Sequence, residues 1–189
     1  MRLPPDIRPT LDTDLATILA INRAAFGQEE EAELVDALLR DPTARPLVSL
    51  LAEDGGRGIG HVLFTHVDLV GTPTRLDAMI LAPLAVLPEC QGQGVGAALV
   101  RRGLSEAGDA GAGIVLVLGH PTYYPRFGFR AAGRLGLQAP YPIPAGHEEA
   151  WMVVETLQGP IAGAAEGATE GANCVVVPAE ALRRPELWS

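Results

Sequence analysis

The sequence is poor in the residues that build disulfide-rich, metal-binding or basic proteins. Its 189 residues include two cysteines, Cys90 and Cys174, too few for a disulfide framework or a cysteine-rich zinc site. The four histidines show neither HExxH nor H-x3-5-H spacing, so we expect no metal. Basic residues number 14 against 23 acidic ones, for a net charge of −9. Surfaces for nucleic acid or anionic membranes need clustered lysine and arginine, so neither partner is expected.

Long apolar runs are also missing. No run of about 18 apolar residues occurs, which predicts no membrane span, and residues 1–10 lack the apolar core of a signal peptide. A hydrophobic fraction of 48% with 20% charged residues is typical of folded globular chains. We therefore expect a cytoplasmic protein. One domain is predicted over residues 1–157, and a glycine- and alanine-rich loop and tail over residues 158–189 would pack on that domain or extend from it.

The order of the predicted elements indicates an α/β (α+β) fold. Helical periodicity is present over residues 13–27 and 29–40, and a third helix is predicted from the glycine-rich segment to Ala107. On that third helix, Gly96, Val100, Leu104 and Ala107 share one face. Strands are predicted at residues 7–9, 46–53, 59–69, 78–87, 114–118 and 150–157. The expected architecture is a mixed, splayed sheet of about six to seven strands with helices on both faces.

A glycine-rich segment, QGQGVG at residues 91–96, lies between a predicted strand and a predicted helix. Such a segment binds anions, because unpaired backbone N–H groups and the helix dipole point at the ligand. It is not a P-loop, since alanines stand where that motif needs Lys and Ser or Thr. A dinucleotide-binding fingerprint on Gly92, Gly94 and Ala97 fits poorly, because residues 118–120 supply no carboxylate for the ribose.

Residues 84–104, LAVLPECQGQGVGAALVRRGL, resemble the acyl-CoA-binding motif of the GNAT superfamily of N-acyltransferases. Its Gln/Arg-x-x-Gly-x-Gly/Ala core is matched by Gln91, Gly94 and Gly96. Farther along, YYPRFGF at residues 123–129 resembles the Tyr-x-x-x-Gly-Phe segment that closes the family's core. The upstream order of two helices and a three-strand meander is also similar. Pro-Leu-Ala-Val before the loop and a short Gly-x-Pro-x-Tyr-Tyr connection resemble one bacterial subgroup of uncharacterised N-acetyltransferases.

The resemblance covers about residues 6–157 and implies a reaction and a site. It implies acetyl-CoA as co-substrate, no metal, and direct attack by a primary amine of a small molecule or peptide on the thioester, in a monomer or homodimer. Tyr124 is implied to be the general acid that protonates the departing thiolate. The residues implied to bind acyl-CoA are Leu84, Ala85, Val86, Gln91, Gly92, Gln93, Gly94, Val95, Gly96, Ala97 and His120.

Two segments of the sequence indicate how far the pantetheine-binding part of this site resembles that of the family. Pro83 predicts a bulge near residues 82–84, and in the family such a bulge splays this strand from the next one and leaves room for pantetheine. Many members carry an Asn after the strand equivalent to residues 114–118 and then a longer helix. Here the connection is the compressed GHPT at residues 119–122. No pantetheine contact from that Asn is therefore expected.

Several alternatives remain open at this stage. The chain is also consistent with a non-catalytic acyl-CoA-binding or sensing module of the same fold and, more distantly, with a nucleotide-binding oxidoreductase. His61 and His66 are more typical of core or surface histidines in a strand than of a general base. Acidic residues 29–31 suit the first turn of a helix and would also attract a cationic acceptor. Arginines near the glycine-rich segment, Arg101, Arg102 and Arg126, are candidate phosphate contacts.

Overall fold

The computed structural model describes residues 4–71, 76–156 and 174–188, and its architecture confirms the predicted α/β (α+β) class. Within these residues, three helices pack on one mixed sheet of nine strands, more than the predicted six to seven. The helices are α1 (Leu15–Phe26), α2 (Glu30–Arg40) and α3 (Val95–Asp109). The strands are β1 (Asp6–Pro9), β2 (Leu47–Asp54), β3 (Arg57–Val70), β4 (Ala78–Val86), β5 (Ile114–Leu118), β6 (Arg130–Ala131), β7 (Leu137–Gln138), β8 (Trp151–Glu155) and β9 (Cys174–Pro178). Both β6 and β7 are two residues long, too short for any periodic pattern to reveal.

The strand order places β4 and β5 near the middle of the sheet. The order is β1-β2-β3-β4-β5-β8-β6, in which β4 and β5 run parallel and the other neighbours run antiparallel. The last strand, β9, pairs antiparallel with the end of β3 and parallel with β7. Since β4 and β5 are parallel, both run toward the same edge of the sheet, where the segments that follow them meet.

A bulge in β4 opens a cleft beside β5. Two residues of β4, Ala82 and Pro83, stand opposite a single residue of β3, so the predicted bulge is present. Proline has no N–H to donate to a ladder, which favours an irregularity at this point. The ladder between β4 and β5 ends at the pair Ile80 and Leu116. Past that pair the two strands no longer exchange hydrogen bonds, and the cleft lies between them.

Alternate residues of the central strands fill two hydrophobic cores on opposite faces of the sheet. Phe64 of β3 and Met79 of β4 belong to the core that includes side chains of α1 and α3. Their neighbours Leu63 and Ile80 belong to the other core, with side chains of α2 and of the C-terminal segment, residues 174–188. Both faces of the sheet are therefore covered.

Helix α3 packs closely against the sheet at Gly103. A Cβ built on Gly103 would lie 2.1 Å from Phe64 Cε2, so no larger residue fits there without displacing the Phe64 ring. Gly96 and Leu104 are only half-buried, although Val100 and Ala107 are buried as expected. Helical spacing predicts that buried residues recur along one face of α3. Which residues lie at the middle of that face depends on where the Phe64 ring of β3 packs.

The C-terminal segment is hydrogen-bonded to the residues that directly follow α2. Asp41 Oδ2 accepts the N–H of Ala181 at 2.9 Å, and Thr43 Oγ1 accepts the N–H of Glu180 at 2.9 Å. Burial opposes ionisation of Asp41, but the hydrogen bonds from Thr43 and Ala181 hold the pKa of its carboxyl below the ordinary value.

None of the helices in the described part of the chain offers the 18-residue apolar stretch that a bilayer span requires.

Candidate active site

The first turn of α3, which follows the glycine-rich loop, presents backbone N–H groups that have no acceptor within the helix. Gly92 and Gly94 have φ values of +71° and +85°, a left-handed conformation that glycine adopts without strain. The first bond of this turn runs from the N–H of Ala98 to the carbonyl of Gly94 at 3.0 Å. The N–H groups of residues 95–97 therefore have no acceptor within the helix. A Cβ built on either glycine would meet no described atom within 4 Å, so an anion has room to approach.

Side chains of the loop hold its backbone in place. Gln91 Nε2 donates to the carbonyl of Val86 at the end of β4 at 3.1 Å, and Gln93 Nε2 donates to the carbonyl of Glu89 at 2.7 Å. Cys90 is buried beneath the loop and packs in the core. The two glutamines thus restrain the loop that leads into the first turn of α3.

A first cavity, here the loop cavity, has a volume of about 610 Å³ and lies over these amides. Its lining residues are Ala25, Phe26, Leu84, Val86, Cys90, Gln91, Gly92, Gly94, Val95, Gly96, Ala97, His120, Tyr123, Tyr124 and Arg126. Arg126 is the one charged side chain among them, and its guanidinium lies 4.7 Å from the centre of the Tyr123 ring. Dipolar amides, a cation and apolar walls together suit a phosphorylated, partly apolar ligand.

A second cavity, here the cleft cavity, lies where β4 and β5 separate and has a volume of about 370 Å³. It is lined by the bulge of β4, the end of β5, the start of α2 and the C-terminal segment. The residues are Phe26, Glu31, Leu34, Ile80, Leu81, Ala82, Pro83, Leu84, Leu118, Gly119, His120, Tyr124, Leu182, Leu187 and Trp188. Most of this lining is apolar.

The two cavities share part of their walls, and Tyr124 lies at that junction. The shared residues are Phe26, Leu84, His120 and Tyr124. Tyr124 is 8% exposed, and its ring makes edge contacts with Tyr123 and Phe129 at centroid distances of 5.1 and 5.5 Å. A Cβ on Gly119 would lie 2.3 Å from Tyr124 Cε2. Glycine at position 119 is therefore required for the ring to occupy this place.

Burial controls the protonation of Tyr124. It raises the pKa of the phenol above the ordinary value of about 10, and the neighbouring Tyr123 acts in the same direction. The Tyr124 hydroxyl therefore stays protonated at neutral pH. A protonated phenol on a residue that lines both cavities can donate to a group that becomes negative where their contents meet.

Comparison with known proteins identifies the family. The model for the acetyltransferase (GNAT) domain matches residues 6–132. The uncharacterised N-acetyltransferase YjhQ of Escherichia coli K12 is 48% identical over 142 residues, which cover 75% of this chain and 78% of that protein. The chain belongs to the GNAT acetyltransferase family. Another GNAT relative, the uncharacterised N-acetyltransferase YhbS of E. coli K12, is 36% identical over 147 residues, covering 78% of this chain and 84% of YhbS.

Solved GNAT structures match the fold along nearly the whole chain. The crystal structure of the E. coli GNAT family N-acetyltransferase YhbS in complex with CoA has a TM-score of 0.80 and 32% identity. It covers 97% of this chain and 94% of that one. A GNAT acetyltransferase from Brucella melitensis in complex with acetyl-CoA has a TM-score of 0.66 and 28% identity, covering 94% and 97% of the two chains. The predicted family resemblance is confirmed.

The residues predicted from the GNAT resemblance mostly come together in the structure. All except Ala85 and Gln93 line the loop cavity. Ala85 is fully buried in the core, and its neighbours Leu84 and Val86, one position away on the strand, face the cavity instead. The Gln93 side chain turns back to the carbonyl of Glu89. The assignment of functional roles to these residues stays a prediction.

Sequence reasoning missed the residues that come from distant parts of the chain. Phe26 at the end of α1 borders both cavities, and Trp188 in the C-terminal segment borders the cleft cavity. The Tyr123 hydroxyl lies 2.9 Å from a Cβ built on Gly96, at the first turn of α3. No local motif marks Phe26 or Trp188, because their role depends on tertiary packing alone.

The two strand histidines lie away from the site. His61 is fully buried and hydrogen-bonds Asn22 and Ser49, and His66 contacts the exposed Asp68 at 3.2 Å. Neither lines the loop cavity or the cleft cavity. Within the described ranges, no three His, Cys, Asp or Glu side chains converge as a metal site requires.

Proposed function

We propose that this GNAT protein transfers the acetyl group of acetyl-CoA to a primary amine. The observation that carries the proposal is the meeting of the loop cavity and the cleft cavity at the buried side chain of Tyr124. One cavity has the amides and the cation that suit a pyrophosphate, and the other is apolar and opens beside the splayed strands. The thioester would lie at their junction.

Acetyl-CoA fits the loop cavity in charge and in shape. The amides of residues 95–97 and the dipole of α3 would hold the pyrophosphate, with Arg126 as a neighbouring cation. Pantetheine would extend into the cleft between β4 and β5, where the edge of β4 beyond Ile80 has no strand partner among the described residues on the β5 side. A backbone N–H of residues 84–86 would polarise the thioester carbonyl. E. coli YhbS was solved in complex with CoA and the Brucella protein in complex with acetyl-CoA, which supports acetyl-CoA as the ligand.

Direct attack requires proton transfers at the amine nitrogen and at the leaving thiolate. The ammonium first loses a proton to a base or to water, and the neutral amine then attacks the thioester carbonyl carbon to form a C–N bond. The nitrogen loses a second proton to a base or to water, and the C–S bond breaks to leave the neutral amide and the CoA thiolate. Tyr124 would donate its proton to that thiolate and recover it later from solvent. No covalent enzyme intermediate is formed.

The test is a screen of primary amines and short peptides for release of CoA from acetyl-CoA, followed with a thiol reagent. The proposal expects at least one amine to raise CoA release well above the rate without an acceptor, with an equal amount of N-acetylated product. Tight acetyl-CoA binding with no acetylated product from any amine would instead favour the acyl-CoA-sensing module.

A further inference from the structure

The cleft cavity carries one carboxylate on an otherwise apolar wall. Of the described residues that line it, Glu31 alone is an Asp, Glu, Lys or Arg. The rest of the lining includes Tyr124 and the apolar side chains Leu182, Leu187 and Trp188. A ligand in this cavity therefore meets one negative charge and a mostly hydrophobic surface.

Glu31 has an unused acceptor atom. Its Oε1 accepts a hydrogen bond from Gln28 Nε2 at 3.0 Å. Its Oε2 is shielded from solvent, and no donor among the described residues lies within hydrogen-bonding distance of it. A carboxylate oxygen in that position is costly to leave without a partner. A carboxylate oxygen accepts more than one hydrogen bond, so Glu31 can also bind a positively charged donor that enters the cavity and reaches Oε1.

Internal contacts hold the C-terminal part of the cavity lining in place. The Trp188 indole N–H donates to the carbonyl of Leu182 at 3.0 Å, and the ring packs edge-on against Trp151 at 5.8 Å. The family model ends at residue 132, so this part of the lining, residues 182–188, lies outside the stretch that the family model matches.

We propose that the acceptor is a primary amine borne on an apolar or aromatic group, with its ammonium bound by Glu31 and its apolar part against Leu187 and Trp188. The inference rests on the proposed acetyl transfer, because it places the acceptor beside the thioester. It also implies that a carboxylate next to the amine is unfavourable, since it would face Glu31.

The experiment measures binding and turnover separately. Calorimetry in the presence of CoA gives the affinity of 2-phenylethylamine, with ethanolamine and phenylalanine as comparators. The variant is Glu31→Gln, which keeps the size of the side chain and removes its charge. The matched control is Glu30→Gln, an exposed carboxylate one residue earlier that does not line the cavity. Release of CoA with the same amines is measured in parallel.

We expect 2-phenylethylamine to bind at least tenfold more tightly than either comparator. Glu31→Gln should weaken that binding at least tenfold and leave acetyl-CoA affinity unchanged, whereas Glu30→Gln should change neither. Equal binding of the three compounds, or an unchanged affinity in Glu31→Gln, would overturn the inference. Binding that follows the expected pattern without any CoA release would uphold the Glu31 site and refute the proposed acetyl transfer.

Discussion

At the scale of single residues, His61 shows how burial selects one protonation state. Asn22 Nδ2 can only donate, so His61 Nδ1 accepts from it, at 3.3 Å. The proton therefore sits on Nε2, which donates to Ser49 Oγ at 3.0 Å. A second proton would place a charge in the core and break the bond to Asn22. Burial accordingly lowers the pKa of His61 to about 3.

This shift predicts a pH dependence of stability. The unfolded chain protonates His61 near the ordinary pKa of about 6.5, whereas the folded chain does so only near pH 3. The unfolded state therefore binds more protons between those values, and stability falls as pH decreases through that window by up to about 1.4 kcal/mol per pH unit.

Urea denaturation at pH 7 and pH 5 checks the prediction. His61→Gln should lose less stability between the two pH values than the parent protein does, whatever its stability at pH 7. His147→Gln, at an exposed position, serves as the control. Identical losses for His61→Gln and the parent would show that His61 titrates normally in the fold.

At the scale of elements, the first turn of α3 and its glycine-rich loop carry the proposed pyrophosphate site. Gly94 has φ +85°, so any side chain there strains the backbone irrespective of its charge. A fair test therefore compares two variants with the same strain, Gly94→Glu and Gly94→Gln. The carboxylate should lower acetyl-CoA affinity at least tenfold relative to the amide, about 1.4 kcal/mol by calorimetry. Equal affinities would remove the loop from the cofactor site.

A strand with a continuous apolar run can be predicted from the sequence, whereas a two-residue strand cannot. The strand at residues 114–118 was predicted with its observed bounds, because five consecutive apolar residues leave little ambiguity. The two-residue strands β6 and β7 form only because β8 and β9 lie beside them. Likewise, helical spacing could not show that Gly103 faces Phe64, since that depends on packing between separate elements.

At the scale of the whole molecule, the loop cavity could be predicted and most of the cleft cavity could not. The loop cavity is built mainly from one continuous stretch with a recognisable motif. The cleft cavity also needs Phe26 and Glu31, which are close together in sequence, and the distant Trp188, and no motif marks these residues. Only tertiary packing brings such residues together. The proposed acceptor site is therefore the part of the molecule that local sequence patterns do not predict.

Ligand-dependent thermal unfolding tests the cofactor on the intact protein. A ligand that binds only the native state at a hundred times its Kd adds about 2.7 kcal/mol of stability. For a chain of this size that corresponds to a rise in Tm of roughly 5–10 °C. Acetyl-CoA should produce such a rise, ADP a small one, and NAD, NADP and ATP much less. An equal rise with NAD would contradict the acyl-CoA assignment and favour a dinucleotide site.

The central claim is that Tyr124 protonates the CoA thiolate during acetyl transfer. Tyr124→Phe keeps the ring between Gly119 and Phe129 and removes only the hydroxyl. The decisive measurement is the kcat of this variant at pH 7–8, with an amine that supports turnover, beside its calorimetric affinity for acetyl-CoA. General acid catalysis is worth roughly 10²–10⁴-fold, so kcat should fall by about that factor while acetyl-CoA affinity stays nearly unchanged. A Tyr124→Phe enzyme with the parental kcat would show that another group or solvent protonates the thiolate.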